Sequence, residues 1–146
     1  MSNQGHQLQI QTLECPPGVE YDEEIFLYFL AIEQARTELV NRPPRLLLAT
    51  LEPIPGQPVP IPPASATRLF EGLRLSLRDT DVMGWYRQGH VAGAVLSACD
   101  DAPESEMWGL IEQRVGDTLR QRLPSKAARS LRVRVVQQGP IRVGNA

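Results

Sequence analysis

Two cysteines, Cys15 and Cys99, and two histidines, His6 and His90, are all that this 146-residue chain offers a soft metal ion. None stands at metal-ligand spacing, so a zinc site would need distant residues to converge, and the thiols are read as reduced and the setting as cytoplasmic. No apolar run approaches the roughly 18 residues needed to span a bilayer, so no membrane insertion is expected. The opening MSNQGHQLQIQTLE has neither a basic stretch nor an apolar one, and no secretory signal is read there. An excess of basic charge is missing as well. The formal net charge is −2 and the sequence pI is about 5.7, which argues against nucleic acid as a partner. There is no internal repeat, and no serine or cysteine sits in a recognisable nucleophile elbow.

What is present suits a single domain with a real core, since 42% of the residues are apolar. Charge is polarised along the chain. Residues 1–52 sum to −5 and residues 114–146 to +7. Such polarity lets an anionic ligand be steered, or lets the basic end of one copy meet the acidic end of another; two solvated faces of opposite sign remain the plainer alternative.

Residues 1–21 read as an arm or short edge strand closed by the breaker Cys15-Pro16-Pro17-Gly18. Asp22 is placed to cap a helix running to about residue 41, with Glu23 and Glu24 at its positive dipole end. Ile25, Phe26, Phe29 and Ile32 form an apolar stripe that Leu27, Tyr28 and Leu30 widen beyond one core face. A helix so apolar packs on two sides, and these four residues are read as a candidate interface.

Arg45 to Glu52 is almost continuously apolar, as a central buried strand is. Residues 53–63 hold six prolines and predict a rigid, extended surface loop, neither helix nor inner strand. A second helix opens at Ser65 or Thr67 and runs to about Arg78. A hairpin follows, with Val82–Tyr86 and Val91–Leu96 as its strands and Arg87-Gln88-Gly89-His90 at its tip. A third helix spans about 104–123 and ends at Pro124, a half-exposed strand covers Leu131–Val136, and 139–146 is a tail. Without the first helix the order is βαββαβ, predicting an α/β (α+β) fold: a ferredoxin-like palm with an antiparallel sheet. Within the hairpin, alternation puts Trp85 and Arg87 on one face and Tyr86 on the other, so only one aromatic ring can face a ligand. His90 beside Glu52 or Asp81 would imitate an acid–base pair.

The order of elements over residues 22–138 and the stretch Leu77-Arg78-Asp79-Thr80-Asp81-Val82 resemble the GGDEF domains of diguanylate cyclases. The likeness is greatest to degenerate GGDEF-like domains found beside bacterial exopolysaccharide glycosyltransferases, which keep R-x-T-D-V-x-G-W. In active members the signature pentapeptide follows the RxxD motif after five residues. That places it on Arg87, Gln88, Gly89, His90 and Val91, where neither metal-binding acid survives. The family's other metal carboxylate stands at the end of the first strand, here Thr50 and Glu52, and Pro53-Ile54-Pro55 replaces the Phe-Lys that follows it.

The resemblance therefore implies an inactive cyclase fold, not an enzyme, with no metal and no cofactor. It would serve as a regulatory or scaffolding module in exopolysaccharide production, with a protein partner or a second copy. Two alternatives stay open. Arg78 and Asp81 match the family's product-binding RxxD and would make a cyclic di-GMP receptor, Arg pairing with phosphate or guanine edges and Asp accepting from guanine N–H groups. The other is a divergent nucleotidyltransferase built around Glu52.

Overall fold

The computed structural model describes residues 20–38, 44–78, 81–96 and 105–137. Most of the expected arm, the end of the first helix beyond 38, Asp79, Thr80, both cysteines, His6 and the tail lie outside them. Nine elements follow in order: α1 (Glu23–Glu38), β1 (Arg45–Ile54), β2 (Gln57–Val59), α2 (Pro63–Ser76), β3 (Val82–Arg87), β4 (Val91–Leu96), α3 (Ser105–Arg122), α4 (Ser125–Ser130) and β5 (Leu131–Gln137).

β1 is the hub of the antiparallel sheet. β4 pairs with it from Arg45↔Leu96 to Ala49↔Ala92, β5 from Arg45↔Gln137 to Leu51↔Leu131, and β3 pairs with β4. The four strands of the βαββαβ unit thus lie in the order β5-β1-β4-β3, the ferredoxin-like arrangement that the element order predicts. Side chains alternate across β1. Leu47, Ala49 and Leu51 face α2 and α3 in the larger core, while Leu46 and Leu48 face α1 with Phe26, Leu30 and Val95. Burial on both faces explains why the strand reads as one continuous apolar run.

Three of the expected elements need correction. The proline-rich segment is not loop throughout. β1 continues to Ile54, turns at Pro55-Gly56, and returns as β2 with Leu51↔Val59 and Ile54↔Gln57 across an irregular register. Leu51 already pairs with Leu131 on its other side, so β2 lies on the β4 side of β1, a short edge where prolines do little harm. Next, α2 begins at Pro63. Pro62 in extended conformation (φ −60°, ψ 149°) stands at the cap and proline occupies the first turn, where its missing N–H goes unneeded; Ser65 and Thr67 are inside the helix. Last, Pro124 does more than end α3, because it leads directly into the short α4.

Asp22 caps α1 as expected, its Oδ1 accepting from the N–H of Ile25 at 3.0 Å. Phe26, grouped with the candidate interface, is instead fully buried against the sheet. Its ring lies over Gly93, where an added Cβ would come within 3.1 Å of it. The residue opposite, Gly84, would carry a Cβ 2.5 Å from the Tyr21 carbonyl oxygen. This cross-strand glycine pair lets the start of α1 sit directly on the hairpin. Tyr21 adds one parallel rung to β3, donating its N–H to the Met83 carbonyl (3.1 Å) and accepting from Trp85 N–H (2.8 Å).

Candidate functional site

The sheet has two ends, and the candidate residues divide between them. Because Ala49 stands opposite Ala92, the end of β1 and the hairpin tip project from the same end. Arg78 and Asp81 precede β3 and lie at the other, about 20 Å away along a six-residue strand. His90 and Asp81 are therefore too far apart for an acid–base pair. The His90 Nδ1 lies 3.1 Å from its neighbour's carbonyl, that of Gln88.

At the tip, Gly89 takes φ +78°, the left-handed conformation that glycine reaches without strain, and His90 N–H closes the turn on the Arg87 carbonyl at 2.9 Å. Gln88 makes a reciprocal clip with Glu23. Its N–H donates to Glu23 Oε1 at 2.7 Å, and its Oε1 accepts from Glu23 N–H at 2.9 Å. The Gly89 carbonyl accepts from Ile61 N–H at 2.8 Å. Val91 is buried, and Arg87, Gln88 and His90 are exposed. The tip is thus fastened to the helix start on one side and to the segment after β2 on the other.

Glu52, at the end of β1, is buried on the α1 face of the sheet, as alternation from Leu46 and Leu48 requires. Its carboxylate accepts from Thr50 Oγ1 at 2.6 Å, Gly56 N–H at 3.0 Å and Arg134 Nη2 at 2.9 Å, and Arg132 Nε lies 3.8 Å away. The Thr50 hydroxyl, the Gly56 amide and the two guanidiniums hold the carboxyl below the ordinary glutamate range, against the opposing pull of burial. This group is permanently ionised near neutrality and held by the protein itself. Neither arginine was singled out from sequence, although both stand on the polar face of an alternating strand, which was the available signal.

The RxxD motif closes on itself. Asp81 Oδ2 accepts from Arg78 N–H at 3.0 Å, Asp81 N–H donates to the Arg78 carbonyl at 3.0 Å, and Arg78 Nη2 lies 3.4 Å from Asp81 Oδ1. The Asp81 side chain is only 4% exposed and shapes the turn; that of Arg78 is 56% exposed. Trp85 faces the larger core, edge-on to Phe70 at 5.1 Å, and Tyr86 joins the α1 cluster, as alternation predicts. Trp108 packs at the margin of the larger core beneath the guanidinium of Arg45, 5.1 Å from the ring centre. Of the candidate interface on α1, Ile25 and Ile32 are each 42% exposed, and Phe29 is half-buried beside Tyr21. Among the described residues, no three metal-binding side chains cluster, and no helix is long and apolar enough to cross a membrane.

No protein-family model matches the chain, and no curated protein matches it. Solved structures do. A DGC protein of Thermotoga maritima superposes with a TM-score of 0.58 at 14% identity, over 83% of this chain and 82% of that one. The diguanylate cyclase SiaD of Pseudomonas aeruginosa, solved in complex with its activator SiaC, superposes with a TM-score of 0.60 at 15% identity. That match covers 98% of this chain and spans 56% of SiaD. At such identities the likeness speaks for the fold alone. The chain has the GGDEF-like fold of the diguanylate cyclases.

Proposed function

We propose that the chain is a non-catalytic GGDEF-like module that works by contact with protein, in the cytoplasm and in the control of exopolysaccharide production. The observation that carries this reading is Glu52. The resemblance puts a metal-binding carboxylate at this point, yet here both oxygens are already engaged by the protein, Oε2 by Thr50 and Arg134 and Oε1 by the Gly56 N–H. A divalent cation would meet the guanidiniums of Arg134 at 2.9 Å and Arg132 at 3.8 Å from the carboxylate oxygens, and the tip that should supply the other acids offers Arg87, Gln88 and His90. SiaD, solved in complex with its activator SiaC, is a protein containing this fold that works with a partner, in keeping with a contact role.

A cyclic di-GMP receptor is the second reading, favoured by the exposed guanidinium of Arg78. Calorimetric titration with cyclic di-GMP, together with a Mg²⁺-dependent turnover assay on GTP and ATP at high protein concentration, separates the readings. The contact module gives neither heat nor turnover. Micromolar binding, about −8 kcal/mol, that disappears in Arg78→Ala would make the chain a receptor. Turnover would overturn the non-catalytic reading.

A further inference from the structure

The large apolar side chains that the described residues leave exposed are six: Ile25, Tyr28, Ile32, Ile54, Leu75 and Leu110. Five fall into two groups on opposite sides of the sheet. Ile25, Tyr28 and Ile32 are spaced i, i+3, i+7 on α1 and form a ridge pointing away from Phe26 and Leu30, which face the sheet. Leu75 lines a groove of about 180 Å³ between α2 and α3 with Ser76, Ile111, Arg114, Val115 and Thr118. Leu110, 59% exposed, neighbours Ile111 and lies one turn before Arg114.

Charge distinguishes the two surfaces. The segment from Glu20 through α1 carries six acids against Arg36 alone, and that arginine is held at 2.8 Å by both oxygens of Glu33. The charged residue lining the groove is Arg114, and Arg74 and Arg78 flank Leu75 and Ser76 in the chain. Among the described residues, neither Arg114 nor Arg74 has a carboxylate within ion-pair distance. An acidic apolar ridge and a basic apolar groove on one molecule are complementary. Since they lie on opposite faces of the sheet, one copy cannot join them internally.

We propose that the α1 ridge of one copy docks into the α2/α3 groove of a second copy, head to tail. The proposal rests on the contact-module reading and names the partner as another molecule of this chain. The contact is heterologous, so each copy keeps one free ridge and one free groove, and assembly proceeds to a ring or an open row. Apolar side chains supply the attraction, and the opposed charges set the direction of stacking and make it salt-sensitive.

Sedimentation velocity across a concentration series tests it. The wild-type chain is expected to assemble with rising concentration, and less so in high salt. Ile32→Glu and Arg114→Glu are both exposed changes that leave the melting transition in place, and each alone raises the half-assembly concentration by about tenfold or more, a loss of about 1.4 kcal/mol. The decisive arm mixes the two variants. The ridge of Arg114→Glu still fits the groove of Ile32→Glu, so a pair and nothing larger is expected. An Arg114→Glu chain that still dimerises on its own indicates symmetric α1–α1 packing and overturns the proposal. So does a wild-type chain that stays monomeric throughout. If such a chain also binds and turns over no nucleotide, the contact-module reading survives while the self-docking proposal fails.

Discussion

The two faces of the sheet are built on different principles. Against α2 and α3 the strands present a broad apolar surface, from Leu47 and Ala49 to Met83, Trp85, Leu96 and Leu131, and the helices answer with Leu69, Phe70, Leu73, Val115 and Leu119. Against α1 the apolar cluster is small, with Phe26, Leu30, Leu46 and Val95 at its centre, and beyond it the same face carries Thr50, Glu52, Arg132 and Arg134. One face is a core that fixes the fold. The other is part core and part ionic network, closed by a helix whose outer side is as apolar as its inner side.

Four experiments sharpen that contrast, the largest effect first. Leu69→Ala, wholly buried on the α2/α3 face, is expected to lower unfolding stability by about 4 kcal/mol and to weaken amide protection in every strand. Phe26→Ala on the α1 face should cost about 3 kcal/mol in urea unfolding, with the added exchange concentrated in α1 and in residues 20–22. Equal losses of protection across the whole sheet would erase the distinction between the faces.

Glu52→Gln keeps the shape of the network and removes its charge, and at pH 7 it should cost about 2 kcal/mol. The carboxyl is held below its ordinary value in the folded chain, so its contribution is complete above about pH 4.3 and is lost as pH falls through the lowered folded value. The stability gap between wild type and Glu52→Gln, followed by thermal unfolding from pH 7 to pH 3, should therefore close on the acid side. A gap that stays constant would show that Glu52 acts by shape and not by charge.

The smallest effect is expected at the exposed clip. Glu23→Ala should cost about 1 kcal/mol and speed amide exchange at Gln88 while leaving Asp81 and its turn untouched.

The backbone of this architecture was legible because it is written in short-range patterns. Periodicity at Leu69, Phe70 and Leu73, alternation at Leu131, Val133 and Val135, the Asp22 cap and the glycine turn are local signals, and each found its element. β2 was hidden because proline argues against a strand, yet Pro55-Gly56 between Ile54 and Gln57 is turn chemistry that would have revealed the hairpin. The side of α1 that faces the sheet was not readable, since Phe26 and Ile32 are both apolar and only the glycine pair at 84 and 93 decides which is inside. The ionic network joins residues 82 apart in the chain, and the clip joins residues 65 apart. No window along the sequence contains both partners.

The single rung that Tyr21 adds to β3 has a consequence for aggregation. An open strand edge is a template on which another chain can grow, and Tyr21 already holds the carbonyl of Met83 and the N–H of Trp85 at the middle of that edge. A foreign strand must first strip Tyr21 away, and with it loosen the start of α1. Among the described residues the other margins are β2, three residues long with a proline at its centre, and β5, where Arg132 and Arg134 would have to be stacked against copies of themselves. Each of these margins thus carries its own obstacle to edge-on growth: a bound residue, a proline or like charge.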